Sequence, residues 1–292
     1  MNRLYNLYGH SVSSEIDFPL PSRPESDADV RIRQGTVNPP VDGPYQSVSE
    51  DEVVLSYPEV GRFELAAGQS ITVDPVEASS PTLVKRVLLG RAFGYLMHQR
   101  GEYSLHASAV SVDGRGVLFA GPRGSGKSTL AAAFLSQEYN VLVCDISVLV
   151  FDNGVPMITP SFPMLKLSPE SKSATAPSLD PMMPPVETAE KRYYSVEGAF
   201  ERTPVPLERI YTIEVSDRKS PRIESLDAQT VIPELVRHTF ANSLLEDTDT
   251  MPQHFEQCVS VADAVPIKRL DRPDDLDRLV DVVEAVEDDL GV

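Results

Sequence analysis

A glycine-rich stretch, Gly121–Thr129, constrains this chain more than any other part of its sequence. It reads Gly-Pro-Arg-Gly-Ser-Gly-Lys-Ser-Thr and fits the pattern G-x-x-x-x-G-K-[ST], the P-loop. The apolar run Arg115–Ala120 before it is typical of a strand, and Leu130–Leu135 after it is typical of a helix start. Because a strand, a glycine-rich turn and a helix are the setting that this motif needs, we expect an α/β domain built around it.

The motif predicts a nucleotide site. Its glycines let backbone N–H groups turn toward phosphate oxygens, and the N-terminus of the following helix adds about half a positive charge. In such loops a lysine at the position of Lys127 reaches the β- and γ-phosphates, and a hydroxyl at the position of Ser128 binds Mg²⁺. We therefore expect ATP or GTP with magnesium, held by Gly121, Arg123, Gly124, Ser125, Gly126, Lys127, Ser128 and Thr129.

A histidine precedes this loop by about the length of a hairpin. Tyr103–Val112 and Gly116–Ala120 flank an Asp113-Gly114 turn, a pattern that predicts two antiparallel strands. Because His106 lies about one strand length before the turn, we expect it at the same end of the hairpin as the loop. The spacing leaves two interpretations open: a group that orients a reactant or exchanges a proton, or a hydrogen-bonded core histidine.

A carboxylate follows the next apolar strand. Val141–Cys144 carries no charge and delivers Asp145 at the end of a predicted strand. A carboxylate in such surroundings is costly to bury without a partner. Phosphoryl-transfer sites use a carboxylate in this place to hold Mg²⁺ or to accept the proton of the attacking hydroxyl. We therefore predict that Asp145 is a functional residue rather than a structural surface aspartate.

Several passages together resemble the HPr kinase/phosphorylase family. They are Leu105–Val110, Ala120–Leu130 and Leu142–Asp145, with two outer segments, Tyr8–Pro21 and Pro160–Leu167, that agree with them. The similarity is greatest to the HPr-kinase-like proteins found with lasso-peptide and related peptide-modification systems. It covers roughly residues 4–215 of the chain.

This resemblance implies an α/β fold with a mixed sheet, related to the nucleotide domain of phosphoenolpyruvate carboxykinase. It also implies an ATP- and Mg²⁺-dependent kinase that transfers the γ-phosphoryl group to a serine hydroxyl of a peptide, protein or small molecule. By position, Lys127 and Ser128 bind phosphate and magnesium. Asp145 matches the proposed catalytic base and a metal ligand, and His106 matches the histidine that lies near the transferred phosphate.

One position departs from the family's pattern. The family usually has a second aspartate directly after the first, and this chain has Ile146 there. A single carboxylate must then serve both as base and as metal ligand, or one of the two roles is lost. An ATP-binding sensor or scaffold protein with weak or no kinase activity is therefore the alternative to a kinase.

The remaining sequence predicts two domains. Residues 1–78 indicate a small β-rich N-terminal lobe, and residues 79–292 the P-loop domain with a helical C-terminal part. The lobe's expected strands are Leu4–Tyr8, Val30–Arg33, Glu52–Tyr57, Arg62–Leu65 and Ser70–Val73. The Ser-, Pro- and Ala-rich residues 168–190 predict a mobile loop, which is a lid, a peptide-docking segment or a passive linker. The expected helices are Ser80–Gln99, Ala228–Leu245, Pro252–Ala262 and Pro273–Leu290.

The net charge of −18 limits the partners of this chain. Because such an acidic surface would repel the phosphates of a duplex nucleic acid, we expect no nucleic-acid partner. It suggests either a protein kept soluble at high salt or a merely acidic cytosolic one. The sequence predicts no membrane span and no secretion signal, and we expect a cytoplasmic protein. The expected partner is the serine-bearing substrate, and a homo-oligomer, as true HPr kinases form, is left open.

Overall fold

Two large β-sheets and a two-stranded ribbon form the framework of the molecule. In the computed structural model, the described residues are 2–24, 27–38, 45–49, 51–187, 189–240, 242, 244–245 and 248–292. No helix within these ranges combines the length and the apolar character needed to cross a membrane.

The N-terminal sheet has eight strands in the described ranges, in the order β3-β1-β2-β4-β8-β7-β6-β5. All five strands predicted for this region are present, and the sequence patterns missed β2, β3 and β5. The strands are β1 (Arg3–Leu7), β2 (His10–Ser14), β3 (Arg23–Pro24), β4 (Val30–Gln34), β5 (Tyr45–Val48), β6 (Glu52–Tyr57), β7 (Gly61–Ala66) and β8 (Ser70–Pro75).

The predicted helix over Ser80–Gln99 is present but is interrupted. It consists of α1 (Pro81–Val87), one π-helical turn (Leu88–Ala92) and α2 (Phe93–Gln99). Buried residues of this helix share one hydrophobic core with the N-terminal sheet and with Ile146 and Phe162. The core therefore runs across residue 78, and the division into two domains at that point stays a prediction.

The second sheet is mixed, as expected. Its strands follow the order β12-β10-β11-β17-β14-β13-β9, with β19 beside β17 and β18 beside β19, while β15 and β16 form the separate ribbon. The strands are β9 (Tyr103–Leu105), β10 (Ala107–Val112), β11 (Arg115–Ala120), β12 (Asn140–Val143), β13 (Ser147–Asp152), β14 (Val155–Thr159), β15 (Met164–Leu167), β16 (Arg192–Ser195), β17 (Val205–Ser216), β18 (Arg222–Ser225) and β19 (Ile267–Pro273).

Strand direction in this sheet decides where a site forms. β10 and β11 are antiparallel, whereas β11, β17 and β19 run parallel to one another. The carboxyl ends of these three parallel strands therefore meet at one edge of the sheet. In open α/β sheets this is the edge at which ligands bind.

Three expectations about the segments that accompany this sheet are wrong: one loop contains a helix, and two helices have other bounds. The chain forms α3 (Lys127–Ser136), α4 (Pro169–Thr175), α5 (Ala228–Arg237), α6 (Met251–Ala264) and α7 (Leu279–Leu290). Residues 168–190 were expected to be a mobile loop. Instead they begin with α4, whose N-cap Ser168 accepts a hydrogen bond from the Ser171 backbone, and they bury Ala176 and Met183. The local composition of this segment did not indicate that its apolar residues pack against the rest of the protein.

Two helices also end or begin elsewhere than expected. The helix predicted over Ala228–Leu245 ends at Arg237, because the backbone N–H of Phe240 pairs with the Ser104 carbonyl at the edge of β9. Residues 241 and 243 of that prediction lie outside the described residues. The closing helix α7 begins at Leu279 rather than Pro273, after a 3₁₀ turn.

Tyr8 ties the N-terminal sheet to the helix that follows it. Its side chain is buried, its ring stacks on Phe93, and its hydroxyl donates to the Leu89 carbonyl at 2.7 Å.

Tyr8→Phe would remove the hydroxyl that donates to the Leu89 carbonyl, and we expect the free energy of unfolding in urea to fall by about 1–2 kcal/mol. The matched variant Tyr57→Phe, whose hydroxyl accepts only a 3.4 Å bond from Arg91, should lose less. Equal losses would contradict this role.

Candidate functional site

The glycine-rich loop lies where the motif predicted, between β11 and α3. Ala120, the last residue of β11, pairs with Thr212 of the parallel strand β17, so the loop leaves the sheet at the edge described above. Gly124 and Gly126 both have a φ of +91°, a left-handed conformation that favours glycine. Helix α3 begins at Lys127 with no side-chain cap and no acidic residue in its first turn. Its first N–H groups therefore remain suited to an anion.

Two side chains of the loop have no anionic partner among the described residues. The hydroxyl of Ser125 is buried and has no hydrogen-bond partner in the part of the chain that the structure describes. The ammonium of Lys127 donates to the loop's own carbonyls, those of Gly121 at 2.7 Å and Pro122 at 3.0 Å. Burial lowers the pKa of Lys127 to about 8, against the opposing effect of Asp145. An anionic ligand would satisfy both groups, so the loop fits a phosphate.

Arg272 supports the loop from β19, which is separated from β11 by β17, and the sequence patterns did not indicate this role. It lies near the end of β19, and only 5% of it is exposed. Its Nε donates to the Ser125 carbonyl at 3.0 Å, and its Nη1 donates to the Pro273 carbonyl at 2.6 Å. A Cβ built on Gly126 would lie 2.6 Å from Nη2 of this arginine. The glycine at that position therefore provides the space for the guanidinium.

Asp145 lies two residues after Val143, the buried end of β12, and thus close to the predicted strand end. Its neighbour Cys144 accepts, through its carbonyl, hydrogen bonds from Ser108 at 2.5 Å and from Ser128 of α3 at 3.3 Å. The hydroxyl of Ser128 and the carboxylate of Asp145 are thereby brought to adjacent positions. Burial and Asp145 raise the pKa of the Cys144 thiol to about 11, so this cysteine is an inert, buried thiol.

His106 contacts Asp145 because the strand predicted over Tyr103–Val112 is broken at this residue. The segment before it, β9, pairs with β13, and the segment after it, β10, pairs with β11 and β12. At the break, the backbone N–H of His106 donates to the His238 carbonyl at 2.7 Å. The ring Nε2 lies 3.2 Å from Oδ1 of Asp145. Both histidine and carboxylate stay about one-third exposed, so a ligand can reach them.

Lys166 is the third member of this cluster, and the sequence patterns gave it no role. Its ammonium lies 3.1 Å from Oδ2 of Asp145, and its backbone N–H donates to the sulfur of Cys144 at 3.0 Å. It is the charged residue of β15, and the other residues of that strand are fully buried and apolar. A lysine in such a strand needs a partner for its charge. That mismatch is the signal by which the sequence could have identified it.

The pairing controls the ionisation of Asp145. Burial raises its pKa, but the hydrogen bond from His106 and the positive charge of Lys166 outweigh burial and hold the pKa well below its usual range. Conversely, burial lowers the pKa of Lys166, but Tyr193 and Asp145 outweigh that effect and raise it. Asp145 is therefore a permanent carboxylate, suited to hold a cation.

The structure does not bring every predicted residue into this cluster. Arg123 lies exposed on the loop. The hydroxyl of Thr129 lies 3.0 Å from that of Ser171, so this residue links α3 to α4. Ile146 points into the core shared with the N-terminal sheet and is fully buried. The site assignments themselves stay predictions.

Magnesium commonly takes one or two protein oxygens together with phosphate oxygens and water. Ser128 and Asp145 offer such a pair, and this donor set fits the ion only with nucleotide present. Among the described residues, no cluster of three or more His, Cys, Asp or Glu side chains could hold a metal by itself.

Comparisons with known proteins give a distant likeness. No family model matches the chain, and no curated protein matches it. Among solved structures, it is similar to the Hpr(Ser) kinase/phosphatase from Coxiella burnetii, with 11% identity over 65% of this chain and 99% of that chain, and a TM-score of 0.34. Because this likeness is so distant, the residues of the site alone carry the functional argument below.

Two glycines with the same φ allow the contact of Arg272 with the loop to be tested. Gly124→Ala introduces only left-handed strain, since its new Cβ would meet no atom within 4 Å. Gly126→Ala introduces the same strain and a clash with the guanidinium, so we expect an additional loss of about 1–3 kcal/mol in the free energy of unfolding. Calorimetric unfolding of both variants without nucleotide measures the difference. Equal losses would show that Arg272 is free to move away.

Proposed function

We propose that this chain is an ATP- and Mg²⁺-dependent kinase that transfers the γ-phosphoryl group to a serine hydroxyl of a peptide, protein or small molecule. One observation carries the proposal. Asp145, paired with His106 and Lys166, lies beside the helix that begins with Lys127 and Ser128. Phosphoryl transfer depends mainly on positioning and on charge stabilisation, and these residues provide both.

Local charge supports a phosphate-rich ligand despite the acidic chain. Lys127 and Lys166 place two ammonium groups at the site against the single carboxylate of Asp145. The whole chain carries a net charge of −18 and would by itself repel ATP. A locally positive pocket within such a surface directs a polyanion to this one place.

We assign the roles by the geometry of each group. The loop amides and Lys127 bind the β- and γ-phosphates, and Arg272 fixes the loop backbone that presents those amides. Ser128 and Asp145 hold Mg²⁺, which when bound neutralises charge on the phosphate oxygens. His106, held by Asp145 and by its backbone bond to His238, orients the acceptor hydroxyl.

A second candidate function, an ATP-binding sensor or scaffold with weak or no transfer, is favoured by a specific observation. Both carboxylate oxygens of Asp145 already have partners, His106 on one and Lys166 on the other. With Ile146 buried in the core, no second carboxylate takes over the work of a base at this position. ATP binding without chemistry is consistent with that arrangement.

Incubation with γ-labelled ATP and Mg²⁺ tests the choice, with free serine, a serine-ended peptide or no acceptor, at low and high salt. We expect label to reach a serine hydroxyl in the wild type. Lys127→Ala should abolish transfer together with tight ATP binding. Asp145→Asn should keep ATP binding but lower transfer about a hundredfold or more. Asp152→Asn, the same change at an exposed hairpin position, is the matched control and should transfer normally.

The outcomes separate the two functions. Tight ATP binding without transfer to any acceptor would favour the sensor or scaffold. Normal transfer by Asp145→Asn would refute the role of this carboxylate. Restoring a second carboxylate with Ile146→Asp is not a usable test, because that side chain is fully buried and an aspartate there would place an unpaired charge in the core.

A further inference from the structure

Lys166 contacts one oxygen of Asp145, the carboxylate that the proposed function assigns to Mg²⁺. Its ammonium lies 3.1 Å from Oδ2 of Asp145, while His106 takes Oδ1. A divalent cation that binds Oδ2 must therefore displace the lysine or share the oxygen with it. We propose that Lys166 is a positioning residue that competes with the metal for Asp145, so that the site accepts Mg²⁺ only together with nucleotide phosphates. This inference rests on the proposed function.

The surroundings of Lys166 hold the lysine in this place. Its cross-strand partner in the β15–β16 ribbon is Tyr193, and its ammonium lies 6.0 Å from the centre of that ring. Arg86 of α1 lies 5.3 Å from the same ring and donates to the Lys191 carbonyl at 2.9 Å. Cations near an aromatic face are stabilised by its negative charge density. The ring therefore positions Lys166 in addition to Asp145.

Backbone contacts fix the lysine relative to the carboxylate. The N–H of Lys166 donates to the sulfur of Cys144, the residue directly before Asp145. Leu165 and Leu167 on either side are buried in the core beneath α3. The strand cannot move away from this core without exposing those side chains, so only the flexible stem of the lysine can leave the carboxylate.

The competition has a chemical consequence. In the free protein the carboxylate is neutralised by an ammonium and binds a lone divalent ion poorly. When phosphate oxygens enter, they supply both further ligands for the metal and an alternative anionic partner for the ammonium. Lys166 thereby makes metal binding conditional on nucleotide and retains a positive charge at the transfer site.

Manganese binding tests this inference without any measurement of transfer. Mn²⁺ shares the oxygen-ligand preference of Mg²⁺, and its free ion can be followed by electron paramagnetic resonance. In the nucleotide-free protein at low salt, we expect Lys166→Gln to bind Mn²⁺ about tenfold more tightly than the wild type. Lys166→Arg, which retains the charge, should remain close to the wild type. Adding Asp145→Asn to Lys166→Gln should abolish the gain.

Lys172→Gln is the matched control. Lys172 also lies over a tyrosine ring, 5.8 Å from the centre of Tyr194, but its ammonium donates to the Pro177 carbonyl rather than to a carboxylate. Its loss should leave Mn²⁺ affinity unchanged. If the glutamine variant of Lys166 does not fold, Lys166→Met carries the same test with an apolar stem. Equal Mn²⁺ affinity in the wild type and in the charge-removing variants would overturn the inference.

The failure of this inference can be told apart from failure of the kinase function. Transfer of label by the wild type, with Mn²⁺ affinity insensitive to Lys166, would overturn the competition alone. A tightening of Mn²⁺ binding in Lys166→Gln, with no label transferred to any acceptor, would refute the kinase and support the competition. If the wild type does not bind ATP, and if Lys166→Gln leaves the Mn²⁺ affinity unchanged, both the kinase function and the competition would be overturned.

Discussion

The charge of one carboxylate organises the candidate site. Residues 141–144 are buried, and the next residue, Asp145, places a negative charge at the edge of an apolar core. Such a charge is tolerable only when opposite charge and hydrogen bonds compensate its loss of water. His106 and Lys166 provide that compensation, and each comes from a different part of the chain. The broken strand at His106 and the lone lysine of β15 are therefore consequences of the same requirement.

The loop depends on a second buried charge. Arg272 reaches it from the parallel strand β19 and donates to the Ser125 carbonyl, and Gly126 leaves room for the guanidinium. Burial lowers the pKa of Arg272, which shows that the cation loses hydration there. The hydrogen bonds to two neutral carbonyls and the nearby charge of Asp274 compensate this only in part. The positive charge beneath the loop is thus best compensated when an anion occupies the loop above it.

Local sequence signals predicted what local chemistry determines. The strand, turn and helix around Gly121–Thr129, the Asp113-Gly114 hairpin and the position of Asp145 at a strand end all follow from short patterns. Lys166 and Arg272 could not be found in this way, because the contacts that give them a role span 21 and 147 residues. The end of α5 at Arg237 and the packing of residues 168–190 were likewise decided by tertiary contacts with β9 and with the core. Hydrophobic periodicity predicts helices and strands, but it does not indicate which distant side chain neutralises a buried charge.

The fixed pair of Asp145 and Lys166 also bears on the choice between kinase and sensor. A carboxylate whose pKa is held well below its usual range is a weak proton acceptor. In a loose phosphoryl-transfer transition state, however, the acceptor proton leaves late and the main demand is stabilisation of charge on the transferred group. An ammonium held beside the carboxylate that we propose as metal ligand meets that demand without a second carboxylate. The presence of Ile146 in place of a second carboxylate therefore speaks against a strong catalytic base more than it speaks against kinase activity.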